Sequence, residues 1–127
     1  MLPAVLTAGL CETVAAHHGT SVNYDQSRTM TLTGTVTEFH WRNPHSTLFL
    51  DVTDDAGEIS NYAIELPSPT LLSRGDLGWT RRTFKPGDHV EFSVHPSRTG
   101  APVALGCMRA CDEVLVNGEP PKANSEQ

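Results

Sequence analysis

The chain has 127 residues, enough for one hydrophobic core and too few for two comfortable ones. Its formal net charge is −6 and its nine basic residues are scattered, which argues against nucleic-acid binding, since that needs a Lys/Arg surplus on one face. No apolar run reaches the roughly 18–20 residues that a membrane-spanning helix requires.

Residues 1–16 read as a secretory leader. Leu2, Val5, Leu6 and Leu10 form a short apolar core, and Ala15 and Ala16 are the small residues that a signal peptidase accepts. No Lys or Arg precedes that core, so either the leader is truncated at its start or the segment is something else. Cys11 would leave with the leader. Cys107 and Cys111 would remain as an even pair suited to an oxidising compartment. In an extended strand, residues four apart lie roughly 13 Å apart, so a disulfide between them requires the segment to turn.

Residues 17–29 are polar and irregular and read as a lead-in arm. Met30, Leu32 and Val36 then alternate with Thr31, Thr33, Thr35 and Thr37, the period of a half-buried strand. The alternation slips before Phe39 and Trp41, which predicts a β-bulge or sharp bend near residues 38–40. Asn43-Pro44 breaks this strand. A second strand follows with Leu48, Leu50 and Val52 inward. Asp54-Asp55-Ala56-Gly57 is a hairpin turn. The third strand carries Tyr62, Ile64 and Leu66 on one face. A helix of one or two turns is expected next, capped by Ser68, begun by Pro69 and stopped by Gly75. Lys85-Pro86-Gly87-Asp88 turns into a fourth strand with Val90, Phe92 and Val94 inward. A fifth strand covers residues 103–107, and residues 113–116 can add a short piece. Residues 119–127 form a polar tail without core residues, expected to be disordered.

Three strands, a short helix and two strands match an all-β, five-stranded, OB-like partly open barrel with the helix between strands 3 and 4. A small β-sandwich is the alternative. The domain is expected to span residues 17–118, preceded by the leader of residues 1–16.

Several short motifs occur together in one order: Ala16-His17-His18, then Thr31 to Val36, then Trp41-Arg42-Asn43-Pro44-His45-Ser46. Asn61-Tyr62-Ala63-Ile64-Glu65, Ser68-Pro69, Gly78-Trp79-Thr80 and Lys85-Pro86-Gly87-Asp88 follow. Through these the chain resembles DUF6152, a family of small exported bacterial proteins of unknown function. The resemblance covers about residues 16–106 and implies a periplasmic or secreted single domain, with no activity attached. The chain departs from the pattern at Gly19, where Ser is usual, and at Tyr62, where Trp is common. Asp76-Leu77 looks inserted, and the Cys107/Cys111 pair is not a usual feature.

Six histidines invite a metal reading. Cleavage after Ala15 would leave Ala-His-His, whose amine, amides and His18 imidazole offer the square-planar nitrogen set that Cu(II) favours. Cleavage after Ala16 would make His17 the N-terminus, with its amine and ring as two ligands and His45 as a candidate third. The alternative is a loose arm that binds nothing specific. Zinc on His45, another histidine and Glu65 lacks any short HxH or HxxxH spacing. His45 follows a proline break at a barrel rim, where an imidazole can bind metal, move protons or contact a ligand. Trp41, Arg42, Asn43, His45, Tyr62 and Glu65 are the candidate ligand-binding residues. Trp41 and Tyr62 suit the core equally well. Glu65, if buried, needs a partner such as Arg42 or a histidine. Cys107, Met108 and Cys111 suit either a disulfide or a soft copper site. The leading expectation is a non-enzymatic periplasmic or secreted module that binds a small molecule or a metal ion. A Cu(II)-binding protein is the second reading. An enzyme with His45 as general acid or base is the third, with no catalytic partner to name.

Overall fold

The computed structural model describes residues 20–108 and 114–122. The leader of residues 1–16, His17, His18, Cys111 and residues 123–127 lie outside these. In chain order the elements are α1 (Thr20–Asn23), β1 (Met30–His40), β2 (Thr47–Thr53), β3 (Ile59–Glu65), α2 (Pro69–Leu72), β4 (His89–Pro96), β5 (Val103–Gly106) and β6 (Val114–Val116).

β1 is the strand that closes the barrel. Its first half pairs antiparallel with β4, from Met30↔Val94 to Thr35↔His89. Its second half pairs antiparallel with β2, from Thr35↔Asp51 to His40↔Thr47. A strand serving two neighbours in succession must curl, and two residues let it do so. At Gly34 an added Cβ would sit 2.5 Å from the Asp51 carbonyl oxygen, so only glycine allows β2 to approach. The ladder then slips between Val36 and Glu38, leaving Thr37 as the bulge. The expected slip is thus present, just before the 38–40 stretch. It swings Phe39 back toward the core.

β3 pairs antiparallel with β2 and parallel with β5, and β5 pairs antiparallel with β4. The ring β1-β2-β3-β5-β4 is therefore a closed five-stranded barrel of OB type, tighter than the partly open one expected. β6 adds outside the ring, on β4.

Turn chemistry follows the residues. Asp54 Oδ1 accepts from the backbone N–H groups of Ala56 and Glu58, each at 2.9 Å, and Gly57 takes a φ of 83°. Ser68 caps α2, with Pro69 in the first turn. Before β4, Asp88 Oδ2 accepts from Lys85 N at 2.9 Å.

The barrel interior holds Leu32, Val36, Leu48, Leu50, Ile64, Val90, Phe92, Val94 and Ala104, the inward positions of the five strands. Leu66, Leu72, Trp79 and Phe84 complete this core from outside the strands. Phe84 stacks edge-on with Phe39 and Trp79, at 5.1 and 5.2 Å between centroids. No described helix is long and apolar enough to cross a membrane.

The lead-in arm differs from expectation. Asp25 N donates to Pro96 O and Arg98 N donates to Asn23 O, so residues 23–25 run beside the end of β4. Tyr24, between them, is only 7 % exposed. One aromatic among polar neighbours was enough to dock the segment, because its ring area outweighs the weak pull of the short polar side chains around it. Of the expected tail, Glu119 pairs back with Val116.

Candidate functional site

Outward positions of three neighbouring strands build the site. Glu65 on β3 stands in register with Leu105 on β5, and Leu105 with His95 on β4. Side chains alternate along a strand, so these three share the barrel's outer face while Ile64, Ala104 and Val94 fill its interior. The β2–β3 ladder continues past the strand ends: Leu66 N donates to Ser46 O at 2.9 Å, and Ser46 N to Pro67 O at 3.2 Å. This extension fixes His45 beside the row. His45 Nδ1 lies 3.0 Å from Glu65 Oε1. At that distance the carboxylate favours a proton on Nδ1.

Glu65 has a second partner. The Tyr24 phenol donates to its Oε2 at 2.8 Å. Burial first, then the hydrogen bond to Glu65 and its charge, push the Tyr24 phenol well above its ordinary value, so it remains a donor. The Glu65 side chain is 26 % exposed and that of His45 54 %. Across the row, His95 Nδ1 lies 2.7 Å from the Arg28 carbonyl oxygen. A carbonyl only accepts, so His95 also carries its proton on Nδ1.

His45, Glu65 and His95 line a cleft of about 560 Å³. Leu105, Gly106 and Leu66 contribute to it from the barrel; Pro44, Pro67 and Leu71 from the loops and α2; Gln26 from the N-terminal segment; Cys107 and Met108 from the chain after β5. Gly106 keeps the approach of Leu66 close, since a Cβ would lie 2.6 Å from Leu66 Cδ2. Leu71 is 55 % exposed although large and apolar. A mainly apolar cleft with a few convergent polar groups is the form that small-molecule sites take.

The sequence-derived candidates divide. His45 and Glu65 meet in this cleft, and the histidine partner expected for Glu65 is His45. Trp41 packs edge-on against Phe39 at 5.8 Å and lines a separate groove with Trp79 and Arg81. Arg42 and Asn43 are exposed, and the Asn43–Pro44 peptide is cis. Tyr62, opposite Leu50 in the ladder, packs partly buried against the core. His17 and His18 lie outside the described residues, so only His45 of the metal set is seen. Among the described residues no group of three or more His, Cys, Asp and Glu could hold a metal ion. Cys107 is disulfide-bonded, and the other half of the bond lies outside the described residues. Tyr24 and His95 were not anticipated as parts of the site. The signal for His95 was its outward position at the end of β4; nothing local pointed Tyr24 at Glu65.

The model of a family of unknown function, DUF6152, matches residues 5–107. The chain belongs to DUF6152. No curated protein matches this DUF6152 domain. Among solved structures it is similar to a mitochondrial single-stranded DNA binding protein from S. cerevisiae, Rim1, at 10 % identity and a TM-score of 0.44. The likeness covers 72 % of this chain and 96 % of that one.

Proposed function

We propose that this DUF6152 domain is a periplasmic or secreted, non-enzymatic binding module whose ligand site is the cleft around His45, Glu65 and His95. The observation that carries this reading is the chain Tyr24–Glu65–His45. A buried phenol and a carboxylate hold an exposed imidazole in one orientation at an apolar cleft. Such bracing of a surface side chain costs conformational entropy, which a merely solvated histidine has no reason to lose. Export is supported by the leader-like residues 1–16 and by the disulfide at Cys107, a bond that persists in oxidising compartments.

The test is a fragment titration of the exported, leader-processed protein followed by backbone NMR. Saturable shifts should cluster on His45, Glu65, Leu71, His95 and Leu105, and Leu105→Trp should abolish them. Shifts that cluster on the Trp41–Trp79 groove instead would contradict the reading.

A second reading, Cu(II) binding, is favoured by one observation. A carboxylate on Nδ1 with a free Nε2 is how metal-ligating histidines are commonly oriented. The remaining ligands would have to be His17 and His18. Stoichiometric uptake that is lost in both His18→Ala and His45→Ala supports it; uptake indifferent to both removes it.

A further inference from the structure

The cleft also specifies what its ligand must offer, an inference that rests on the cleft being the binding site. Its polar groups are acceptors. Glu65 is a carboxylate. His45 turns its Nδ1 to Glu65 at 3.0 Å, and His95 commits its Nδ1 proton to the Arg28 carbonyl, so the neutral form of His95 offers Nε2 as a lone pair. Ser68 and Gln26 can donate as well as accept and leave that balance unchanged. No Lys or Arg is among the described lining residues. A carboxylate, phosphate or sulfate would therefore meet like charge at Glu65, with no Lys or Arg among those residues to offset it.

The groups are also spread out. Glu65 and His95 are separated by the Leu105 strand, so two strand spacings, roughly 10 Å, lie between them. One metal ion with donors about 2 Å away cannot gather both. A ligand that reaches across must place an apolar body over Leu105, where Leu71 and Met108 also line the cleft.

We propose that the cleft binds a small organic ammonium ion, its charged head against Glu65 and its apolar body over Leu105 toward His95. Charge complementarity fixes the head, and the apolar floor fixes the body.

Three near-isosteric probes test this on the leader-processed protein at neutral pH by NMR titration: 2-phenylethylammonium, 2-phenylethanol and 3-phenylpropionate. The ammonium should bind about tenfold more tightly than the alcohol, a partly screened charge pair worth about 1.4 kcal/mol, and the carboxylate most weakly. Glu65→Gln should bring the ammonium down to the alcohol while alcohol binding persists, which also shows that the variant is folded. Equal or tighter binding of the carboxylate, or an ammonium preference that survives Glu65→Gln, overturns the proposal and leaves the cleft standing. Saturable shifts from none of the probes at the cleft residues overturn both. The ranking on the unmodified protein needs no variant.

Discussion

Tyr24 and Glu65, 41 residues apart, are joined by a 2.8 Å hydrogen bond from phenol to carboxylate. The bond ties the N-terminal segment to the barrel and closes one side of the site. Tyr24→Phe keeps the ring and removes the donor. It should destabilise the domain by about 1–2 kcal/mol, read as a lowered urea midpoint with an unchanged slope.

The same bond predicts an alkaline response. The folded phenol titrates above its unfolded value of 10.0. The folded state then holds this proton more tightly than the unfolded chain does. The contribution is complete below the unfolded pKa and is lost as pH rises from there through the higher folded value. Chemical-denaturation stability should fall on raising the pH through that window, and Tyr24→Phe should flatten the fall. An equally steep fall in both proteins would contradict the assignment.

Two glycines should respond unequally to alanine. At Gly106 the added Cβ meets the end of the Leu66 side chain at 2.6 Å and the Phe92 ring at 3.3 Å. The leucine can turn away, so a cost of about 1–2 kcal/mol is expected. At Gly34 it meets the Asp51 backbone carbonyl, which cannot move without opening the β1–β2 ladder. Gly34→Ala should cost about 3 kcal/mol or more. Thermal unfolding of the pair checks the order.

Ser46 is fully buried, and among the described residues its Oγ has no hydrogen-bond partner. An unpaired buried hydroxyl is unfavourable, whereas the backbone bonds of Ser46 do not need it. Ser46→Ala should leave stability unchanged or raise it by about 1 kcal/mol. A loss of similar size would mean that the hydroxyl has a partner.

Much of the barrel was legible because each strand buries one face. Leu48 and Leu50, Ile64 and Leu66, and Val90, Phe92 and Val94 announce both strand and inward face by alternation alone. The break in alternation before Phe39 announced the bulge for the same reason. Trp79 and Phe84 carried no such periodicity. They sit between α2 and β4 and enter the core from irregular chain, so only the packed structure shows them touching Phe92 and Phe39. The site was half legible. His45 stood out by its place after Pro44, and Glu65 by its need for a partner. Tyr24 reaches Glu65 and His95 reaches the cleft through long-range pairings, Tyr24 with Ser97 and His95 with Leu105, which local pattern does not encode.

The central claim is that Glu65 and the Arg28 carbonyl orient the two cleft imidazoles through Nδ1, which leaves both Nε2 atoms as acceptors when the rings are neutral. Imidazole nitrogen NMR at about pH 8, above the ordinary imidazole range, reads this directly. The account predicts the Nδ1-protonated tautomer at both His45 and His95, with the Nε2 resonance of His45 moving saturably on addition of 2-phenylethylammonium. A His45 proton on Nε2, or an Nε2 resonance indifferent to a probe that binds elsewhere on the protein, would contradict it.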